Sequence, residues 1–136
     1  MIQENKELLL RDLCARLPYG VRGERIWTAP VSGSPEKGIY VFDTFDINVL
    51  TTGYYDCGEY GFREVRNYSF KPYLFPLSSM TEEQKEEYKQ FLEDVDGYAY
   101  SIDCVPQVDW LNKNHFDYRG LIPKGLAIDA TGKNIY

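Results

Sequence analysis

Residues 38–52 read GIYVFDTFDINVLTT, and the way this stretch divides decides the fold. Ile39, Val41, Phe45, Ile47 and Val49 fall on alternate positions, with Asp43 the one break in the face. Alternation puts residues i, i+2 and i+4 on one side of a pleated strand. The stretch therefore predicts two strands, about 39–43 and 45–51, joined by a tight turn near Asp43 and Thr44; a single long bent strand is the alternative.

On its N-terminal side, Ile26-Trp27-Thr28 is a short β-like run ended by Pro30, followed by a Ser-, Gly- and Pro-containing loop, Val31 to Lys37. On its C-terminal side, Gly53, Gly58 and Gly61 punctuate TTGYYDCGEYGF. Their spacing is neither G-x-x-x-x-G-K-[ST] nor G-x-G-x-x-G, and Asp56 and Glu59 repel phosphate. A hairpin loop is expected, with Phe62 to Val65 as the returning strand.

Helical signals lie outside this β region. Over residues 5–17, Leu10, Leu13, Cys14 and Leu17 stand at i, i+3, i+4 and i+7, widened by Leu9, and Pro18 stops the helix. Glu7 with Arg11 and Asp12 with Arg16 are acid-before-base pairs four apart, each worth about 0.2–0.5 kcal/mol on a helix surface. Phe70 to Met80, FKPYLFPLSSM, carries Pro72 and Pro76 and predicts an extended connector lying across the core. Thr81-Glu82-Glu83-Gln84 is a capping box opening a second helix with the stripe Tyr88, Phe91, Leu92 and Val95, ended by Gly97. Tyr98 to Ile102 is a short strand candidate. A third helix is expected over about 106–114, with Pro106 in its first turn and Trp110 and Leu111 as anchors. Gly120, Pro123 and Gly125 keep the C-terminal tail mostly irregular.

At 136 residues the chain is one domain's worth, expected as a single α+β domain over 1–136. The architecture predicted is an N-terminal helix, a small antiparallel sheet of three to five strands, two further helices and a loop-rich C-terminal tail. Cys14, Cys57 and Cys104 are odd in number and far apart, which argues against a disulfide framework or a zinc cluster and for reduced, packed thiols in the cytosol. The start, MIQENKELLL, lacks the pattern of a signal peptide, and no apolar run approaches the length of a membrane span. Between Glu82 and Asp109, nine acids stand against Lys85 and Lys89, leaving +1 on the rest of a chain whose net charge is −6. With no basic stripe, direct nucleic-acid binding is not expected. The acidic helix 82–96 or a surface rich in the chain's twelve Tyr can meet a protein partner.

Two stretches carry a resemblance: KPYLFPLSSMTEE, Lys71 to Glu83, and DWLNKNHFDYRGLIPKGLA, Asp109 to Ala127, with DLCARLPYG, Asp12 to Gly20, weaker. Through them the chain resembles a family of small bacterial proteins, without an assigned activity, often carried on prophages and other mobile elements. The resemblance implies an accessory role on a mobile element rather than a housekeeping enzyme. It names no catalytic residue.

The densest group of chemically capable residues is Trp110, His115, Asp117, Tyr118 and Arg119, at a helix end and in the loop after it. His115 beside a carboxylate suits a general base, and Arg119 with Tyr118 suits a developing anion. A small hydrolase-like enzyme using His115, Asp117 and Arg119 is thus the alternative to a non-enzymatic interaction protein. The plainer reading is structural, with Asp117 pairing with Arg119 or capping a turn and His115 capping helix carbonyls. No metal site and no cofactor is implied. The two readings differ in one respect: an enzyme gathers His115, Asp117 and Arg119 in one concave pocket, whereas an interaction protein shows an exposed aromatic, acidic or self-complementary face.

Overall fold

A computed structural model describes residues 2–93 and 105–136. The first helix, α1 (Gln3–Arg16), buries Leu9, Asp12, Leu13 and Arg16. This corrects the expected stripe: Leu9 and Leu13 are shared, Leu10 is only half-buried, and Cys14 and Leu17 face solvent. Positions 9, 12, 13 and 16 have the same helical spacing, but two of them are charged, so apolar periodicity selects the neighbouring stripe. Leu9 and Leu13 are fully buried, each contributing about 2 kcal/mol. Pro18 and the left-handed Gly20 (φ 66°) end the helical region.

Two strands follow, β1 (Arg22–Thr28) and β2 (Pro35–Val41), paired antiparallel with Glu24 opposite Ile39. The second strand expected at 45–51 is instead a helix, α2 (Thr44–Thr52). The cause is a capping box: the Asp43 carboxylate accepts the Phe45 N–H at 3.0 Å and the Asp46 carboxylate accepts the Asp43 N–H at 3.1 Å. Gly53, at φ 81°, closes the other end. The buried face is Asp46, Val49 and Leu50. An acid on that face hides the helical period and leaves the alternation of Phe45, Ile47 and Val49 in view.

The hairpin at Gly53–Val65 is present as expected, with β3 (Tyr54–Asp56) and β4 (Phe62–Glu64) pairing Tyr55 to Arg63. The connector is corrected: Arg66–Pro76 is a strand, β5, at the centre of the main sheet. Proline lacks the ladder donor, and the β1–β5 pairing ends at Gly23 opposite Pro72. Beyond it, β5 changes partners. Phe75 pairs with Phe116 of β6 (Phe116–Asp117), and Tyr73 with Ile128 of β7 (Ile128–Asp129), both parallel. The Leu74 carbonyl accepts the Ala130 N–H while the Phe75 N–H donates to the His115 carbonyl. A trans peptide points these two groups opposite ways, so β6 and β7 lie on opposite edges of β5. The sheet, ordered β2-β1-β5-β6 with β7 also on β5, is mixed rather than antiparallel, within the expected α+β class.

The remaining helices are α3 (Glu82–Glu93) and α4 (Val105–Lys113). The α3 capping box forms in both directions: the Gln84 N–H donates to Thr81 Oγ1 at 3.2 Å, and the Thr81 N–H donates to Gln84 Oε1 at 2.9 Å. Tyr88 and Phe91 pack their rings on Trp110 of α4. Val95, Gly97, the strand candidate at Tyr98–Ile102 and Cys104 lie outside the described residues. The core joins Leu9 and Leu13 to Val21, Phe42, Leu50, Phe70, Leu74 and Leu121.

Candidate functional site

Helix α4 ends in a turn where Asn114 and His115 donate their N–H groups to the Trp110 and Asn112 carbonyls. His115 takes the left-handed conformation, φ 63°, that glycine usually supplies at this place. Its carbonyl accepts the Phe75 N–H at 2.8 Å, which ties the helix end to β5. Its ring stacks flat on Tyr136, centroids 3.6 Å apart and planes 9° apart. Burial first, then the charges of Arg16 and Arg22, lowers the imidazole pKa to about 4. His115 is therefore neutral at neutral pH.

Asp117 turns the other way. Its two carboxylate oxygens accept the Leu121 and Ile122 N–H groups, each at 2.9 Å. That closes the turn into the Gly120–Gly125 loop. Arg119 reaches α1, donating from Nη1 to Asp12 Oδ1 at 2.9 Å, with its guanidinium 4.7 Å from the Tyr118 ring centre. Tyr118 donates its hydroxyl to Asn112. Trp110 stacks on Phe116 at 5.6 Å and donates its indole N–H to Glu87. The five residues singled out in the sequence are neighbours along the chain, yet His115, Asp117 and Arg119 each engage a different partner: a ring, two backbone amides and a buried acid.

Asp12 with Arg16 ties Arg119 to the Phe116 carbonyl. Arg16 donates from Nε to Asp12 Oδ2 at 2.8 Å, from Nη2 to Asp12 Oδ1 at 3.2 Å, and from Nη2 to the Phe116 carbonyl at 2.6 Å. Both side chains are wholly excluded from solvent. The Asp12 carboxylate thus bridges two guanidiniums, Arg16 and Arg119. The four-residue spacing of Asp12 and Arg16 is visible in sequence; what it misses is that the pair points inward. Residues 12–20, 71–83 and 109–127 meet here, since Asp12 binds Arg119, Arg16 binds Phe116, and β5 pairs with β6.

A second charged cluster joins β1, α2 and β5. Arg25 donates from Nε to Asp46 at 2.9 Å, and Tyr68 donates its hydroxyl to the same carboxylate at 2.7 Å. Burial opposes the Arg25 charge, but the hydrogen bond and charge of Asp46, with Asp43, outweigh it and raise its pKa. Burial and then the Asp46 charge push the Tyr68 phenol far above its usual range. The Arg25 guanidinium lies over the rings of Trp27, Tyr40 and Phe45, at 5.6, 4.4 and 4.8 Å. Those rings form an edge-to-face row: Tyr40 to Trp27 at 5.4 Å, Trp27 to Phe45 at 5.9 Å, and Phe45 to Tyr55 at 4.7 Å. The row leads into the β3–β4 hairpin, where Tyr54, Tyr60 and Phe62 are exposed, Phe62 by 73%. Beside the hairpin is a cleft of about 400 Å³ between the Thr28–Gly33 turn and Arg63, Glu64 and Arg66. Nothing in the residue order marks this row, whose members come from four elements.

No protein-family model matches the chain, and the curated proteins and solved structures give no match. Among the described residues, no helix is long and apolar enough to cross a membrane, and no group of three or more His, Cys, Asp or Glu is placed to hold a metal ion. Cys14 and Cys57 are free thiols, and Cys14 is exposed rather than packed.

Proposed function

We propose that this is a non-enzymatic accessory protein of the cytosol that binds a protein partner through the aromatic row and the β3–β4 hairpin. The observation that carries the reading is the row Tyr40–Trp27–Phe45–Tyr55 built on the Arg25–Asp46 pair. Its rings are held by one another and by a buried cation, so little side-chain freedom is lost on docking. Trp, Tyr and Arg are also the residue types that dominate binding energy at protein interfaces. Tyr54 and Phe62 lie on the face of the hairpin opposite Tyr55 and, with Tyr60, add a second exposed aromatic surface beside the row. The mobile-element association implied by the resemblance belongs to the same reading.

The hydrolase-like alternative is less well supported. Asp117 spends both oxygens on backbone amides and Arg119 is bound to Asp12, so neither is free to orient or activate His115. The acidic face of α3 is the second partner surface, with Glu82, Glu83 and Glu86 exposed.

Affinity capture from the native host, followed by mass spectrometry, tests the reading when run with three baits. They are wild type, Tyr60→Ser/Phe62→Asp, and Glu83→Lys/Glu86→Lys, each first shown to be folded by circular dichroism. A partner kept by wild type and by the α3 variant but lost with the hairpin variant, and insensitive to salt, is the expected outcome. Loss with the α3 variant and with rising salt instead places docking on the acidic helix, because exposed charge attraction is screened. A partner indifferent to both changes sinks the proposal.

A further inference from the structure

A cleft of about 270 Å³ opens between α1, α2 and the start of β5, lined by Lys6, Val49, Leu50, Gly53, Val65 and Tyr68. Its floor is core material, since Val49, Leu50 and Val65 are all buried. At Gly53 the wall borders open space: a Cβ there would meet nothing within 4 Å. Polar groups on the wall are already engaged. Tyr68 gives its hydroxyl to Asp46 and so presents its ring. The Gly53 N–H donates to the Val49 carbonyl, and the Gly53 carbonyl accepts the Val65 N–H.

Lys6 is the one charged residue on this lining. It stands one turn before Leu9 and two before Leu13, both buried, so its stem leaves α1 on the inward side. A long side chain there lays its methylenes on apolar surface and holds its ammonium at the wet edge. Lys6 is exposed, and among the described residues its ammonium has no ion-pair or hydrogen-bond partner. The nearby acids Glu4 and Glu7 line a separate cleft with Arg11 and Lys124, on another side of the helix.

We propose that this cleft binds a small free monocarboxylate with an apolar body, a medium-chain or aryl acid. The body lies on Val49, Leu50, Val65 and the Tyr68 ring, and the carboxylate meets the Lys6 ammonium. Apolar walls with one placed polar group are the usual make-up of a small-molecule site. One cation matches one negative charge, whereas a phosphate ester brings nearly two. A sugar needs several donors and acceptors, which these walls have already spent on one another. At ~30 Å³ per water the space equals about nine waters, room for one short chain or one ring. The inference goes beyond the partner reading above and does not depend on it, because the cleft and the row Tyr40–Trp27–Phe45–Tyr55 share no residue.

Methyl NMR of the full chain, titrated with octanoate, 1-octanol and an acetylated tripeptide ending in leucine, tests the site. Wild type should bind octanoate saturably, with Kd below about 1 mM, and the methyl signals of Val49, Leu50 and Val65 should shift. Lys6→Met, at an exposed position, should weaken octanoate roughly five-fold and leave 1-octanol unchanged. Val49→Met puts a longer side chain into the cleft and should weaken both. If Val49→Met fails to fold, Lys6→Met decides alone. No saturable shift at these methyls, or octanoate bound as tightly by Lys6→Met as by wild type, overturns the proposal. So does tighter binding of the tripeptide than of octanoate, which would assign the cleft to a protein's carboxyl terminus.

Discussion

Arg16 grips both carboxylate oxygens of Asp12 one helical turn away, in a pair wholly shut off from solvent. Such a pair is not a large net gain over apolar residues of the same size, but breaking it is costly because one charge is left buried and unmatched. Asp12→Ala should lower stability by about 3–5 kcal/mol. Arg119→Ala, whose partner keeps Arg16, should cost about 1–2 kcal/mol. The double change Asp12→Leu/Arg16→Met should recover only part of the loss, since it removes the buried pair but leaves Arg119 and the Phe116 carbonyl without their partners. Urea unfolding of the three variants tests the order, and an Asp12→Ala protein within about 1 kcal/mol of wild type contradicts it.

His115 makes stability depend on pH. Its folded pKa of about 4 lies below the ordinary 6.5. Above 6.5 neither state binds the proton; between 6.5 and about 4 only the unfolded chain does. Stability therefore falls as pH drops through that window and levels off below it. His115→Asn suits the left-handed backbone and should remove this step. The wild-type loss from pH ~7 to ~4 should exceed the variant's by about 2 kcal/mol, allowing for screening of a half-buried ring. Equal losses would mean that the imidazole is not desolvated in the fold.

Gly23 is needed for space rather than for its backbone angle. A Cβ there stands 2.6 Å from Phe70 Cζ and 2.7 Å from the Lys71 carbonyl. Gly23→Ala should cost about 1–3 kcal/mol and lower the melting temperature, with Phe70→Leu restoring part of it. A neutral Gly23→Ala would show that β1 and β5 can separate without penalty.

Thr81 caps α3 through its hydroxyl. Thr81→Ala should cost about 1 kcal/mol, and Thr81→Ser should cost much less. Chemical denaturation resolves the difference, and equal costs for the two changes would point to the Thr81 methyl instead.

Signals confined to neighbouring residues were legible in the sequence. The Thr81–Gln84 box, the Gly-punctuated hairpin and the α4 boundaries each rest on contacts within a few positions. The elements misread share one cause: a charged or proline residue at an inward or central place. Asp46 hid the helical period of α2, Asp12 and Arg16 turned the apparent stripe of α1, and Pro72 disguised a central strand. In the candidate site, the stretch from Trp110 to Arg119 stood out by composition. Its partners did not, because Asp12 lies 107 residues from Arg119 and Tyr136 is reached only through the fold.

The split pairing of β5 has a consequence for synthesis on the ribosome. Its first half can lie against β1 once residue 72 has emerged, because that pairing is already complete upstream. Its second half cannot, since Phe116 and Ile128 follow Phe75 and Tyr73 by 41 and 55 residues. While the next 41 to 55 residues are made, the nascent chain therefore carries a strand finished at one end and bare at the other. Such a bare end invites wrong partners, and it sits at Tyr73–Pro76, where holding factors would have to act until Phe116 and Ile128 have cleared the exit tunnel.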